Sequence, residues 1–479
     1  MQKVNEQSTE SVTTHATKEL SNESVIPESI HFVNVAEQAG FDTVVYCGGE
    51  NKNHILESTG SGCAWLDYDE DGLIDAFVLN AWQLDNANHS VKYKGRSKLF
   101  RNMGTGRFSD ESDPSGLSAD DWSCGVCAGD FNNDGHVDLY VTNFGTNRLY
   151  QNLGQGKFVD VALDAGVQSS GWSTGAAFFD ADNDGWLDLY VAKYIDCDWD
   201  DVLNAERTSE WQGSKVMAGP FGMRGGQDRF YKNNRDGTFS DSTEVAGMAD
   251  TAESYGLGVL ASDLDADGDV DIFVANDSNP NFVYRNDGNG TFKETGGWSG
   301  AGYSGDGRPQ GSMGVDAGDF TGDGLQDLLV TNFAQDYSTL YKNESELFFS
   351  DISSALRMSE FTRRTLSWGC ALGDYDCDGQ LEILILNGHI YPQVDAAPST
   401  GETYRQLPTL LRKTAGKLVD VSRHAGPGMQ QAESMRGLAV ADYDEDGKLD
   451  LLVTAIDSQP LLLHNESLLN HHWLGVRVL

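Results

Sequence analysis

Oxygen-bearing side chains recur at fixed offsets around a glycine seven times along the chain. The nonapeptides are DYDEDGLID from Asp67, DFNNDGHVD from Asp130, DADNDGWLD from Asp180, DLDADGDVD from Asp263, DFTGDGLQD from Asp319, DYDCDGQLE from Asp374 and DYDEDGKLD from Asp442. Positions 1, 3, 5 and 9 carry the oxygens. They are Asp67, Asp69, Asp71 and Asp75 in the first copy, Asp130, Asn132, Asp134 and Asp138 in the second, and Asp180, Asp182, Asp184 and Asp188 in the third. Asp263, Asp265, Asp267 and Asp271 form the fourth, Asp319, Thr321, Asp323 and Asp327 the fifth, Asp374, Asp376, Asp378 and Glu382 the sixth, and Asp442, Asp444, Asp446 and Asp450 the seventh. A hard cation such as Ca²⁺ takes six to eight oxygens from a flexible loop with a glycine at its sharp turn. The pattern therefore predicts up to seven Ca²⁺ sites.

An EF-hand opens in the same way but needs a bidentate Glu at position 12. Here position 12 is Val78, Val141, Val191, Val274, Val330, Ile385 or Val453. That excludes the EF-hand and says that each loop runs straight into a buried strand. Four carboxylates about 5 Å apart at an effective dielectric near 20 repel by roughly 3 kcal/mol per pair, or roughly 20 kcal/mol over six pairs. That exceeds the roughly 5–15 kcal/mol by which a domain is stable, so a divalent ion is expected to hold each loop together.

A short apolar run after a glycine precedes each loop, as in GCAWL, GAAFF and GCALG, and reads as a first strand. The second strand follows as DLYVTN, DIFVAN or DLLVTN, a third as LFRN, LYQN, VYRN or LYKN, and a fourth as GRFSDES or GKFVDV after an NxGxG turn. Each repeat is thus four short antiparallel strands. Seven such sheets predict an all-β, seven-bladed β-propeller, which hides its sheet edges by radial repetition. The seventh repeat ends on its third strand at Leu461 to Asn465, and an unpartnered FVNVAEQAG, Phe32 to Gly40, matches the missing fourth. The N-terminal strand is therefore expected to close blade seven. Residues 1–30, rich in Ser, Thr, Glu and Asn without an apolar core, read as a disordered polar tail with no secretory signal. Residues 31–467 form the propeller.

These repeats resemble the FG-GAP/VCBS propellers, the architecture of integrin α-subunit heads, and more narrowly the cartilage acidic protein and ASPIC/UnbV group. The phrases that carry the resemblance are GSMGVDAGDFTGDG (Gly311 to Gly324), NGHIYPQVD (Asn387 to Asp395), SMRGLAVADYDEDG (Ser434 to Gly447) and the closing WLGVRVL (Trp473 to Leu479). In that group WLGVRVL opens a further domain, so residues 468–479 are expected to be the start of a truncated one. Members are largely secreted or surface-exposed. The resemblance implies an extracellular, cell-surface or periplasmic protein, and the name UnbV comes from natural-product biosynthesis clusters.

The longest insertions, Gln83 to Arg96, Asp196 to Asp228 and His389 to Arg405, all lie between second and third strands, on the face opposite the acidic loops. Loops on a rigid scaffold are the usual place for binding. Trp199, Trp211, Phe221 and Arg224 are the side-chain types favoured at binding hot spots, and His389 and Tyr391 stand beside them as candidates for a partner face. The alternative is that the insertions only pack over the channel mouth. The net charge of −41 excludes a nucleic-acid binder, and seven Ca²⁺ would take it to −27. No run of 18 apolar residues spans a membrane. Seven cysteines without regular spacing make neither a disulfide framework nor a zinc site, and Cys124 and Cys127 fall in a probable strand. No G-x-S-x-G, HExxH or comparable signature occurs. The expectation is a monomeric, non-catalytic scaffold that binds a protein or glycan. The rival is an enzyme or accessory protein with its site at the channel mouth.

Overall fold

The computed structural model describes residues 30–397 and 401–468. The polar tail and the closing segment expected at the two ends lie outside them, apart from Ile30 and Leu468. Seven four-stranded antiparallel sheets form the blades of a propeller. Blade one runs Cys63–Leu66, Asp75–Val78, Lys98–Asn102 and Phe108–Asp110. Blades two to six repeat that order along the chain. Blade seven takes Met435–Ala441, Asp450–Ala455 and Leu461–Asn465 from one end and Phe32–Asn34 from the other. Phe32 pairs with Asn465, Val33 with His464 and Asn34 with Leu463, as the unpartnered N-terminal strand predicted.

Second strands such as Asp271–Asn276 and Asp327–Asn332 are buried along their whole length. The reason is that neighbouring blades cover both faces. In blade four, Ile272 and Val274 point into a cluster shared with blade three, whereas Phe273 and Ala275 point into one shared with blade five. The strand period of two thus divides each apolar run between two interfaces. Every adjacent pair of blades shares such a cluster, including blades seven and one.

Towards the axis the first strands converge on a ring of glycines, Gly62, Gly125, Gly175, Gly258, Gly314, Gly369 and Gly437. A methyl group at Gly314 would lie 2.2 Å from the Trp368 carbonyl oxygen, one at Gly125 2.3 Å from that of Thr174, and one at Gly258 2.4 Å from that of Met313. Any larger residue would push blade against blade. The contact is also bonded: Gly62 N donates to Cys124 O at 2.8 Å, and Thr174 Oγ1 donates to Gly256 O at 2.7 Å.

Substituting Gly314→Ala should therefore destabilise the protein by about 1–3 kcal/mol or more through overpacking. Gly297→Ala, where a methyl group meets nothing within 4 Å, should stay within about 0.5 kcal/mol of wild type. Equal denaturation midpoints for the two variants would contradict the packed ring.

Candidate functional site

All seven acidic loops join first and second strands at one end of the disc and share one conformation. The position-1 carboxylate accepts the amide of the glycine at position 6, as Asp180 Oδ2 does from Gly185 N at 2.7 Å. In most loops it also accepts the amide of position 5, as between Asp184 N and Asp180 Oδ1 at 3.0 Å. The position-6 glycines hold φ between 85° and 96°, where a side chain is strained. Position 5 caps position 7 in turn, with Trp186 N donating to Asp184 Oδ1 at 2.9 Å.

Position 9 begins the second strand and is buried in every loop. Asp271 accepts Leu264 N at 3.1 Å from its own loop and Asn286 N at 2.8 Å from the third strand. That asparagine reaches further. Asn286 Nδ2 donates to Val270 O and to Ala181 O, the latter in the acidic loop of blade three. Asn102, Asn152, Asn233, Asn343 and Asn465 repeat the bridge to the preceding blade. Blade six has Lys413 at this position, with its ammonium 5.3 Å from the Phe320 ring centre. The asparagines stood in the third-strand signature, but their role was not read from it. They turn six of the acidic loops into joints between blades.

Burial pushes the position-9 carboxyls up: Asp75, Asp138 and Asp271 to about 7, Asp188 and Asp450 to about 6, and Glu382 to about 8. A nearby divalent charge would reverse that shift. Position 3 supplies the clearest ligand-directed atoms. Asp69 Oδ1, Asp182 Oδ1, Asp265 Oδ1, Asp376 Oδ1 and Thr321 Oγ1 are buried without a hydrogen-bond partner. Ligand oxygens of Asp263, Asp265 and Asp271 lie within 4.8 Å of one another, as do those of Asp67, Asp69 and Asp71, of Asp180, Asp182 and Asp184, and of Asp374, Asp376 and Glu382. An all-oxygen set with an orphaned buried member fits Ca²⁺.

The repulsion expected from carboxylates alone is too large, however, because basic side chains sit beside most loops. Arg101 Nε is 2.7 Å from Asp69 and its Nη2 2.8 Å from Asp71. Arg412 bridges Asp376 at 2.7 Å and Asp378 at 2.6 Å. Lys232 pairs with Asp182, Arg235 with Asp184, and Lys448 with Asp446.

At the opposite end the three insertions meet in one apolar cluster. The first adds a hairpin, Trp82–Asp85 with Ser90–Lys94. The second adds a short helix, Trp199–Leu203, capped by Asp198, and a hairpin, Thr208–Trp211 with Ser214–Met217. Trp199 stacks on Trp82 with ring centres 4.5 Å apart and meets Trp122 and Phe144 edge-on. Trp211 packs edge-on against Phe333 and beside His389 and Tyr391. Residues 398–400 of the third insertion lie outside the described set.

Glu402, which no sequence motif marks, ties these loops together. It accepts Trp211 Nε1 at 2.8 Å, Gln212 Nε2 at 2.7 Å and Gln335 Nε2 at 2.6 Å, and His389 Nε2 lies 3.4 Å away. Burial opposes ionisation of Glu402, but the bonds from His389, Trp211 and Gln335 outweigh it and hold the carboxyl down to about 2. Burial lowers His389, which stays neutral, with Nδ1 accepting Tyr391 N at 3.0 Å. His389 is fully enclosed and Tyr391 is buried, so the expected surface role of His389 is corrected to an internal one. Of the six candidates, Phe221 and Arg224 are well exposed, Arg224 beside Glu253 at 2.9 Å. The insertions do pack over the channel mouth, as the alternative held, and they enclose a cavity there.

All seven cysteines are free thiols. Cys124 and Cys127 share the strand Trp122–Gly129, where burial pushes both up to about 12. That environment disfavours the reactive thiolate.

A carboxyl whose folded pKa lies below its ordinary 4.5 stabilises the fold above that value and loses its contribution as the pH falls towards 2. The stability gap between wild type and Glu402→Gln should therefore be present at pH 6 and close between pH 4.5 and 2. A gap constant across that window, measured by thermal unfolding, would show that the Glu402 charge does not hold the insertions.

Against known families, the FG-GAP-like repeat matches residues 67–141, 130–191, 216–274, 263–330 and 319–385, together more than half of the chain. Cartilage acidic protein 1 of Mus musculus is 28% identical over 240 residues, 49% of this chain and 34% of that protein. The Homo sapiens protein is 29% identical over 227 residues, 46% and 32% respectively. The matched region thus spans about a third of the length of these curated relatives. Among solved structures, an Agrocybe aegerita lectin recognising non-reducing terminal N-acetylglucosamine aligns at 15% identity and TM-score 0.42, covering 83% of this chain and 86% of that one. BBS1N in complex with ARL6DN aligns at 10% identity and TM-score 0.48, covering 93% and 98%. Neither likeness bears on ligands. Four of the five repeat matches begin at an acidic loop and all five end in the second strand of the following blade, and the chain belongs to the FG-GAP-like repeat family, as a seven-bladed propeller related to cartilage acidic protein 1.

Proposed function

We propose that this chain is a calcium-built, non-catalytic propeller scaffold that presents its insertion face to a protein or glycan partner. The observation that carries the calcium half is the buried, unpartnered position-3 oxygen in five of the seven loops. Beside it lie carboxylates already held in ligand-like orientation by backbone amides. Asp263, Asp265, Asp267 and Asp271 would hold an ion in blade four, and the corresponding residues would do so elsewhere. The bound ion supplies charge and coordination, while the position-9 carboxylate passes that rigidity to the third strand and, through asparagine, to the preceding blade.

Loops of this open, acidic kind fill reliably where Ca²⁺ is abundant, so the working compartment is placed outside the cytosol. Among the described residues no helix is long and apolar enough to cross a membrane. Supporting the non-catalytic reading, His389, the single candidate base of the sequence, is enclosed and committed to Tyr391 and Glu402.

Metal analysis by mass spectrometry should find close to seven Ca²⁺ per chain, and EDTA should lower the melting temperature sharply. The double substitution Asp265→Ala, Asp267→Ala should remove one ion and lower the melting temperature in Ca²⁺ towards the chelated value. An unchanged melting curve after confirmed demetallation would overturn the calcium role.

A further inference from the structure

The insertion face holds a cavity of about 260 Å³ beside the glycine ring, reaching Leu257, Met313 and Trp368 on the first-strand side. Its walls are largely apolar and include the aromatic side chains of Tyr194, Trp211, Phe333, Trp368 and Tyr391, with Phe221 at the rim. Phe221 is 69% exposed.

Two carboxylates enter this apolar space from adjacent blades. Asp277 accepts the Tyr194 hydroxyl on Oδ2 and the Ser278 hydroxyl on Oδ1. Asp336 accepts Gly311 N on Oδ2 at 3.1 Å. Gly311 lies between them, and a methyl group placed on it would come within 3.1 Å of Asp277 Oδ1. Burial raises both carboxyls, Asp277 with a further push from Asp336. The residues beside them, Ser278 at φ 61° and Gln335 at φ 75°, hold left-handed backbone without being glycine. Strain of that kind collects at binding sites.

The cations nearby do not neutralise the pair from within the cavity. Arg436 stacks on Trp368 at 4.1 Å and spends its donors on the carbonyls of Ser58, Gly388, Met435 and His389. Arg363 lies over the Tyr337 ring and donates to Gln335 O, and with Arg308 it touches Asp336 only through longer-range attraction. Among the described residues no Lys or Arg lines the cavity itself. Aromatic faces together with desolvated carboxylates select a positive, weakly hydrated group.

We propose that the cavity is a binding site for an organic ammonium group, in which Asp277 and Asp336 supply the charge and Trp211, Phe333 and Tyr391 the aromatic walls. This deepens the reading of the insertion face as a binding face and is independent of the calcium loops. The ammonium belongs either to a free small amine or to a lysine-type side chain of a protein partner.

The test is titration of the whole protein, kept in Ca²⁺, by calorimetry and tryptophan fluorescence. The probes are choline, its neutral isostere 3,3-dimethylbutan-1-ol, a blocked trimethyllysine amide and N-acetylglucosamine. Choline or the blocked trimethyllysine should bind saturably, at least tenfold more tightly than the isostere. Asp277→Asn should weaken binding at least tenfold while leaving the melting temperature and ion content unchanged. Should Asp277→Asn unfold, Asp336→Asn gives the same reading. Preference for choline points to a free amine, and preference for the lysine derivative points to a protein side chain. Isostere binding as tight as choline, no saturable binding of either cation, or sugar binding that the aspartate variants leave untouched would overturn the proposal. Because ion content is measured separately, loss of the calcium reading and loss of this one are distinguishable.

Discussion

No blade of this propeller has an interior of its own. A single four-stranded sheet exposes two apolar faces, and each is buried only because the next blade supplies the opposite wall, as Ile272 and Phe273 divide between two neighbours. Stability is therefore a property of the closed ring. This dependence explains why the first strands carry glycine at the axis, where the distance between blades is shortest. It also explains why each third strand ends in a residue whose side chain reaches backwards, as Asn286 does to Ala181.

The same dependence gives the acidic loops their meaning. A loop that merely turned the chain would need one glycine and a polar residue or two. These loops instead bury Asp75 or Asp271 at the base of the second strand, against the electrostatic cost of a desolvated carboxylate. They recover it through one amide of the loop itself and one of the third strand. Basic neighbours such as Arg101 and Arg412 share the remaining charge. Each loop is thus a charged joint, and its state of ionisation is felt by two blades at once.

Much of this was legible in the sequence because the repeat is written in residue types with few substitutes. The nonapeptide gave blade number, strand order and candidate ligands, and the stranded FVNVAEQAG gave the closure. What escaped were groups whose partners are distant in sequence. Glu402 meets Trp211 across 191 positions, and Asp277 meets Tyr194 across 83, with no local pattern to mark either. The third-strand asparagines were visible as letters, but their targets were not, since those lie in another repeat. The charges of each loop were equally plain, whereas the bases that answer them were hidden: Arg101 and Lys232 stand on third strands, dozens of positions beyond the carboxylates they meet.

The pairing of Phe32 with Asn465 makes one joint of the ring unlike the other six. Elsewhere a blade is completed by strands that leave the ribosome within a few seconds of one another. Here the outer strand is made first and its partner roughly 430 residues later, a wait of roughly 20–90 s at ordinary rates of synthesis. Through that interval Phe32 stands open, and so does the apolar face that blade one turns to blade seven once blade one is made. The nascent chain is a spiral of sheets with two sticky ends, and the slowest-formed contact is the one that seals the whole ring.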